Sequence, residues 1–422
     1  MRRWPVAILF FVSLLVRANG GELPDTRQGI LAPTFRTLQV QYMADPFAPP
    51  VINLNAPGER IVVSFDELAD ERRYLRYSLE HCDASWRPEG LVDSEFLDSF
   101  NEGTVEDVDY SRATVVHYVH YSITIPNDEM RITRPGNYLL KVYDEREPDE
   151  TLLQARFGVC DFTMSVKASV SSRTDIDSNA DHQQVAVRVD TRHVAPDDPF
   201  SDLRVVITQN GRPDNEVVLV TPQRINGQEI VYEHLRPLIF PAGNEYRRFD
   251  ISSVNYPGLG VDYIVHDAPV YNALLAVDYP RAEAGYLYDS TQQGHYVVRS
   301  VDADDSDTEA DYVLTHFSLS MPPLAGYDVF LDGDFTSRRF DHLSRMVYNH
   351  ATGAYEQSLL LKQGAYNYQY LAVSSGAEAG LTAPVEGDMY QTVNEYTVKV
   401  YYRPRGERAD RLVGITTVSS GL

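Results

Sequence analysis

The sequence predicts an all-β protein made of tandem immunoglobulin-like β-sandwiches. Three observations carry this. Apolar residues alternate with a period of two along almost the whole chain, as they do in strands with one buried face. The 28 tyrosines, with many valines, suit a pleated and half-buried surface. Strand-sized segments recur between Pro- and Gly-rich turns, the spacing of sheets packed face to face.

The elements follow in chain order. Arg2 and Arg3 precede an apolar run from Val6 to Val16, and Ala18-Asn19-Gly20 follows with small residues at cleavage-site spacing. This predicts a secretory signal peptide over residues 1–20, too short in its apolar part to span a bilayer as a helix. Residues 21–32 form a disordered start and 33–161 the first sandwich. The alternating segments Ile61–Phe65, Thr114–Ile125 and Tyr138–Tyr143 fall there, with a short helix over Asp93–Phe100 whose face is Phe96, Leu97 and Phe100. A second sandwich over 162–300 holds Val185–Val189 and Leu203–Thr208, and an acidic linker over 301–311 leads to a third. That third sandwich spans 312–414, with strands Tyr312–Leu319, Tyr366–Leu371 and Tyr396–Tyr402, before a tail over 415–422.

Loss of the signal peptide removes Arg2, Arg3 and Arg17, leaving 34 basic against 61 acidic side chains, a formal charge of −27. Such a surface repels phosphate backbones and anionic lipids, which makes nucleic-acid binding and polybasic membrane anchoring poor hypotheses. A shaped surface must hold any partner. The strand segments are uneven in length and the chain ends Ser419-Ser420-Gly421-Leu422, without the aromatic terminus of an outer-membrane barrel. The expected compartment is the periplasm.

Candidate chemistry is sparse. Cys82 and Cys160 could pair in an oxidising compartment, or sit apart as buried small hydrophobes. In the acidic run, Asp302, Asp304 and Ser306 match the first ligand positions of a calcium loop, but the central Gly is missing and Val313 stands where the bidentate Glu belongs. His117 and His120 would point to opposite faces of a strand and cannot share a metal. His81, Cys82 and Asp83 diverge for the same reason. No phosphate loop, nucleophile elbow, zinc signature or dinucleotide fingerprint occurs, so neither an enzyme nor a cofactor is expected. Trp86, the one Trp after residue 20, sits at a strand end as a sheet cap or a partner contact.

Eight segments in order resemble the plug proteins of the type IX secretion system. They are HCDASW at His81–Trp86, DSEFLDSFNEG at Asp93–Gly103, MRITRPGNYLLKVYD at Met130–Asp144, DPFSDLRVVITQNGRPDN at Asp198–Asn215, FPAGNEYRRFDI at Phe240–Ile251, DSDTEADYVLTHF at Asp305–Phe317, LLLKQGAYNYQY at Leu359–Tyr370, and YYRPRGERADRLVG at Tyr401–Gly414. The resemblance implies a periplasmic, non-enzymatic protein that docks on the inward mouth of the giant outer-membrane translocon barrel and closes it when idle. Partner contacts are expected at Trp86, Arg87, Asn244, Glu245, Tyr246, Arg247, Asp305, Asp307 and Glu309.

The third sandwich also resembles the early-set modules beside glycogen-branching enzymes, through a β-hairpin over Thr352–Val373 closed by Lys-Gln-Gly. Those modules bind α-glucans through a Trp soon after Gly-Asp-Phe. Here Gly333-Asp334-Phe335 is followed by Thr336, Ser337 and Arg338. A glycan-binding accessory protein is therefore the alternative function.

Overall fold

The alternating segments fold into strands that bury the predicted faces. Ile61, Val63 and Phe65 are fully buried in strand Ile61–Glu67, as are Val185, Val187 and Val189 in His182–Asp190. The computed structural model describes residues 25–421, so the expected signal peptide lies outside the described residues.

Three sandwiches result, each around its own apolar core. In the first, strands Phe35–Tyr42, Ile61–Glu67, Asp107–Tyr110 and Val119–Ile125 form one sheet. It packs on a sheet containing Leu75–Cys82, Gly136–Asp144 and Glu147–Cys160. That second sheet does not stop at the module boundary. Strand Glu147–Cys160 runs parallel to Arg411–Ser419 at Cys160 and Leu412, and the sheet continues through Glu395–Tyr402, Leu203–Gln209 and Val217–Leu219. Ten strands thus tie modules one and two together. The second sandwich closes with Ser165–Ser171, His182–Asp190, Arg224–Asn226, Glu229–Tyr232 and Ile239–Pro241.

The third sandwich is inserted into the second. Strands Arg247–Asp250, Tyr296–Val298, Tyr327–Asp332 and Gly364–Ser374 form one layer, and Val261–Asp267, Val270–Leu275, Tyr312–Ser320, Val347–Asn349 and Ala354–Lys362 the other. This departs from the expected cuts. Strands between 247 and 298 belong to the third core, not the second, while Glu395–Tyr402 and Arg411–Ser419 complete the second, not the third. Period-two patterning marks a strand but does not name its neighbour.

Other expectations also change. The start is ordered from Asp25: Gly29–Ile30 pairs with Glu147–Cys160, and the Gln154 amide donates to the carbonyls of Asp25 and Arg27. The tail continues the strand Arg411–Ser419. The predicted helix is a single 3-10 turn at Asp93–Glu95; Phe96 and Leu97 are buried, but Phe100 is 90% exposed. Strand Val119–Ile125 starts later than predicted because Asp311 accepts hydrogen bonds from the backbone N–H groups of Val115 and Val116 and holds them in a turn. The supposed hairpin around Lys362-Gln363-Gly364 is an arch. Ala354–Lys362 pairs with Tyr312–Ser320, whereas Gly364–Ser374 pairs with strands of the opposite layer.

Candidate functional site

The predicted contact residues lie mainly in the joints between modules. The joint between modules two and three is built from Asn244-Glu245-Tyr246-Arg247, where the chain crosses from one core to the next. Asn244 donates to the Glu386 carbonyl at 2.8 Å. Glu245 accepts from the Tyr286 hydroxyl at 2.7 Å and the Val393 N–H at 3.0 Å. The Tyr246 hydroxyl meets Arg338 and Gln369. Arg247 pairs with Asp278 at 2.7 Å and Glu386 at 3.0 Å, and Arg281 reaches the other Glu386 oxygen at 2.7 Å. Burial alone would raise the Glu386 carboxyl, but Arg247 and Arg281 hold it below its ordinary value. Burial raises Glu245, which has no cation in ion-pair contact among the described residues. Asn244, Glu245 and Tyr246 are buried and Arg247 is mostly so, and all four spend their polar groups inside the joint, which corrects the expectation that they form an exposed contact patch.

The joint between modules one and three is organised by Asp66 and Lys362, both fully buried. The Lys362 ammonium lies 2.6 Å from Asp66, donates to the Asp307 carbonyl, and stands 4.1 Å from the Tyr118 ring centroid. Tyr312 donates its hydroxyl to the same Asp66 oxygen, and His120 meets the other at 2.6 Å. Burial would raise Asp66, but Lys362 and His120 hold it below the usual carboxylate range. The acidic stretch expected as a linker forms the lid of this joint. Asp305 caps the one-turn helix Ser306–Glu309 and accepts from Arg112, Glu309 accepts from the Asp304 N–H, and the Asp307 carbonyl receives Lys362. Asp305 and Glu309 thus take part in an internal contact, while Asp307 lends it only a backbone carbonyl and keeps its side chain exposed.

The joint between modules one and two adds polar ties to the shared sheet: the Ala84 N–H to Asp410, the Tyr401 hydroxyl to Asn137, and Arg403 to Glu89. Trp86 belongs here. It is 8% exposed, packs with Cys82 and Leu139, and lies under the Arg156 guanidinium at 4.4 Å and near the Lys399 ammonium at 5.9 Å. Trp86, Arg156, Lys399 and His295 line a cleft of about 240 Å³ to which all three modules contribute. Of the first pair of predicted contacts only Arg87 faces solvent, 63% exposed and paired with Asp83.

Both cysteines are free and buried. Cys82 sits across from Asn137 and Gly158 sits across from Asn137 on the other side, so Cys160 is two strands away. Two strand spacings are about 9.5 Å, beyond the ~7 Å limit for a disulfide. Burial pushes both thiols up to about 12. His81 is held by Glu89 at 2.8 Å and lies near the Pro135 carbonyl, a fully partnered core histidine. His117 and His120 bind different aspartates, Asp70 and Asp66. Asp302, Asp304 and Ser306 do not converge: Asp302 accepts from Asn255, while the Ser306 hydroxyl receives the Ser300 N–H. Phe335 of the Gly-Asp-Phe segment stacks inward on Phe317.

The residues that organise two of the joints, Asp66, Lys362, Arg281 and Glu386, were not singled out from sequence. A signal existed for two of them. Asp66 follows the apolar run IVVSF and Lys362 follows LLL, each a charge set directly against an apolar strand segment.

Fold and joints together define an all-β scaffold of three sandwiches, each joined to the other two. Residues 35–161 match the family model described as the type 9 secretion system plug protein first domain. A protein of Parabacteroides merdae, solved as a hypothetical protein, is 40% identical over 93% of this chain and 99% of its own, with a TM-score of 0.92. The chain belongs to the type IX secretion system plug protein family. A Pseudomonas fluorescens alkylpurine DNA glycosylase bound to abasic-site DNA (17% identity, 30% of each chain, TM-score 0.17) shares no overall fold with it. The same holds for a biofilm associated protein BSP domain (8% identity, 95% of this chain and 61% of that one, TM-score 0.20). The search among curated proteins found no match. Family membership associates the protein with type IX secretion components of the cell envelope. Among the described residues no helix is long and apolar enough to cross a membrane.

Proposed function

We propose that this protein is a periplasmic gating subunit that binds the inward mouth of the type IX translocon barrel and closes its pore when no cargo occupies it. The observation that carries this reading is the plug-family match over the first module together with near full-length likeness to one relative. The build of the molecule supports it. Each pair of modules is joined, one pair by a shared sheet and the other two by buried ion pairs, which supports reading the three as one stiff body. Blocking a protein-sized hole needs stiffness and surface complementarity, and no bond-making. Gating is then reversible binding, with the plugged and cargo-engaged states in competition. A strain lacking the protein but retaining an open translocon should become permeable to large polar antibiotics; unchanged permeability would leave an accessory subunit that does not seal the pore.

A further inference from the structure

The third module carries a face with the marks of a docking surface. Its outer layer ends in strand Val261–Asp267, which pairs on one side with Val270–Leu275 and on the other with nothing among the described residues. Folded proteins usually protect such an edge with Lys, Pro or a covering loop. This strand, VDYIVHD, has no Lys or Pro and is guarded only by a bulge between Val261 and Tyr263 and by Asp262 and Asp267; beyond the Val261 N–H to Gly258 contact its outward edge has no backbone partner among the described residues.

Apolar exposure is concentrated around it. Tyr256, Leu259, Tyr263, Val265, Leu287 and Tyr288 are 46–81% exposed. The chain contacts draw them together. The Leu259 carbonyl accepts from Asp250 and the Gly260 carbonyl from Ala276, which seats the 256–260 loop at the base of the hairpin. Asp289, next to Tyr288, pairs with Arg248 at 2.5 Å in strand Arg247–Asp250 of the opposite layer, whose Arg248 carbonyl lies against Gly260 at the start of the hairpin. Exposed tyrosine and leucine in one patch distinguish interaction surfaces from scattered single apolar side chains.

Charge specifies the occupant further. Residues 251–280 contain no Lys or Arg. Asp262, Asp267 and Glu283 are exposed around the patch and make no ion pair among the described residues. An open strand edge accepts an extended backbone, and unpaired carboxylates beside it favour Lys or Arg on that backbone.

We propose that the protein docks through this face, adding an extended, Lys- or Arg-bearing strand of its partner protein to the edge Val261–Asp267, with the exposed tyrosines and leucines packed against the partner. The inference rests on the gating reading above and identifies the surface that performs it.

The test is recovery of the tagged full-length protein from detergent-solubilised outer membrane of its own host, with the partner identified by peptide mass. Tyr263→Lys combined with Val265→Lys should lower recovery of the barrel at least tenfold, and Asp262→Lys with Asp267→Lys should do likewise. Phe100→Lys, 90% exposed on the first module, should leave recovery unchanged. Thermal melts of all variants should match the parent within a few degrees, which separates lost docking from lost folding. If barrel recovery is unaffected by both double variants, the face is wrong and the gating reading stands. If the unaltered protein brings down no barrel, the gating reading falls and this inference with it.

Discussion

Replacing Lys362 by Met is the sharpest probe of how the modules hold together. The Lys362 ammonium and the Asp66 carboxylate are 2.6 Å apart with side chains 1% and 0% exposed. With an effective dielectric constant near 20, their direct attraction is roughly 6 kcal/mol. Desolvation of both charges offsets most of that, so the intact pair contributes little net stability. Removing one partner is different. Lys362→Met leaves the Asp66 carboxylate in the joint with only His120 and the Tyr312 hydroxyl, and the Asp307 carbonyl loses its donor. The expected cost is about 3–5 kcal/mol. Asp66→Leu together with Lys362→Met removes both charges and should cost clearly less than the sum of the single substitutions, with a coupling of about 2 kcal/mol. Urea unfolding of the full chain measures the totals. Hydrogen exchange in Ile61–Glu67 and Ala354–Lys362 shows whether the loss is at the joint. A Lys362→Met cost below about 1 kcal/mol, or additive single effects, would falsify the view that this pair fixes modules one and three.

Four other outcomes are expected. Trp86→Ala should destabilise by about 3–5 kcal/mol, because it empties a buried site between modules one and two; a change within 0.5 kcal/mol would return Trp86 to a surface role. Gly364→Ala should destabilise by at least about 2 kcal/mol, since a Cβ there would overlap the Val297 carbonyl oxygen, which belongs to backbone and cannot swing away. Neither Cys82 nor Cys160 should react with a thiol reagent at pH 8 in the folded protein, and mass under non-reducing conditions should show two free thiols. The joint carboxylates give a pH dependence of known sign. Asp66 and Glu386 are depressed in the folded state, so their contribution is fully present above the unfolded value near 4 and is lost as pH falls through the lower folded value. Stability of the parent should therefore fall in that acid window more steeply than stability of Asp66→Asn, which lacks one of the two titrating groups; equal slopes would overturn the assignment.

Strand identity was legible in the sequence because each strand reads its own two faces. In Tyr312–Ser320 the alternating burial of Val313, Thr315, Phe317 and Leu319 follows from residues within the segment. Partnership was not legible. Whether Ala354–Lys362 turns back on Gly364–Ser374 or arches to the other layer depends on where the turn's polar groups go. Gln363 donates its side chain to the Ser252 carbonyl and accepts from the Asp311 N–H, both remote in sequence. The same holds for NEYRR at 244–248, whose charge density reads as surface. Most of those charges are interior because Asp278, Glu386 and Asp289, 30 to 140 residues later, arrive to meet them. Composition misled for the acidic stretch too: Thr308 and Ala310 are buried against module one, and the carboxylates around them cap and pair locally.

The polar character of the joints bears on how such a body is assembled. An apolar interface between sandwiches would tolerate sliding and several docking angles, whereas Asp66 has one position in which Lys362, His120 and Tyr312 are all in reach. Glu386 likewise has one position that serves Arg247, Arg281 and the Tyr370 N–H together. Buried ion pairs add little net stability compared with apolar packing, but a misaligned joint leaves a charge buried and unpaired, at a cost of several kcal/mol. The penalty falls on the wrong arrangements. The insertion of module three into module two strengthens the effect, because the inserted module is tethered at both ends, at Asn244 and at Val393, and a rotation that breaks the Arg247 contacts also pulls Glu245 from the Val393 N–H. A single orientation of three sandwiches is the property a pore-closing body requires, and here it is set by the buried charges Asp66, Lys362, Arg247 and Glu386.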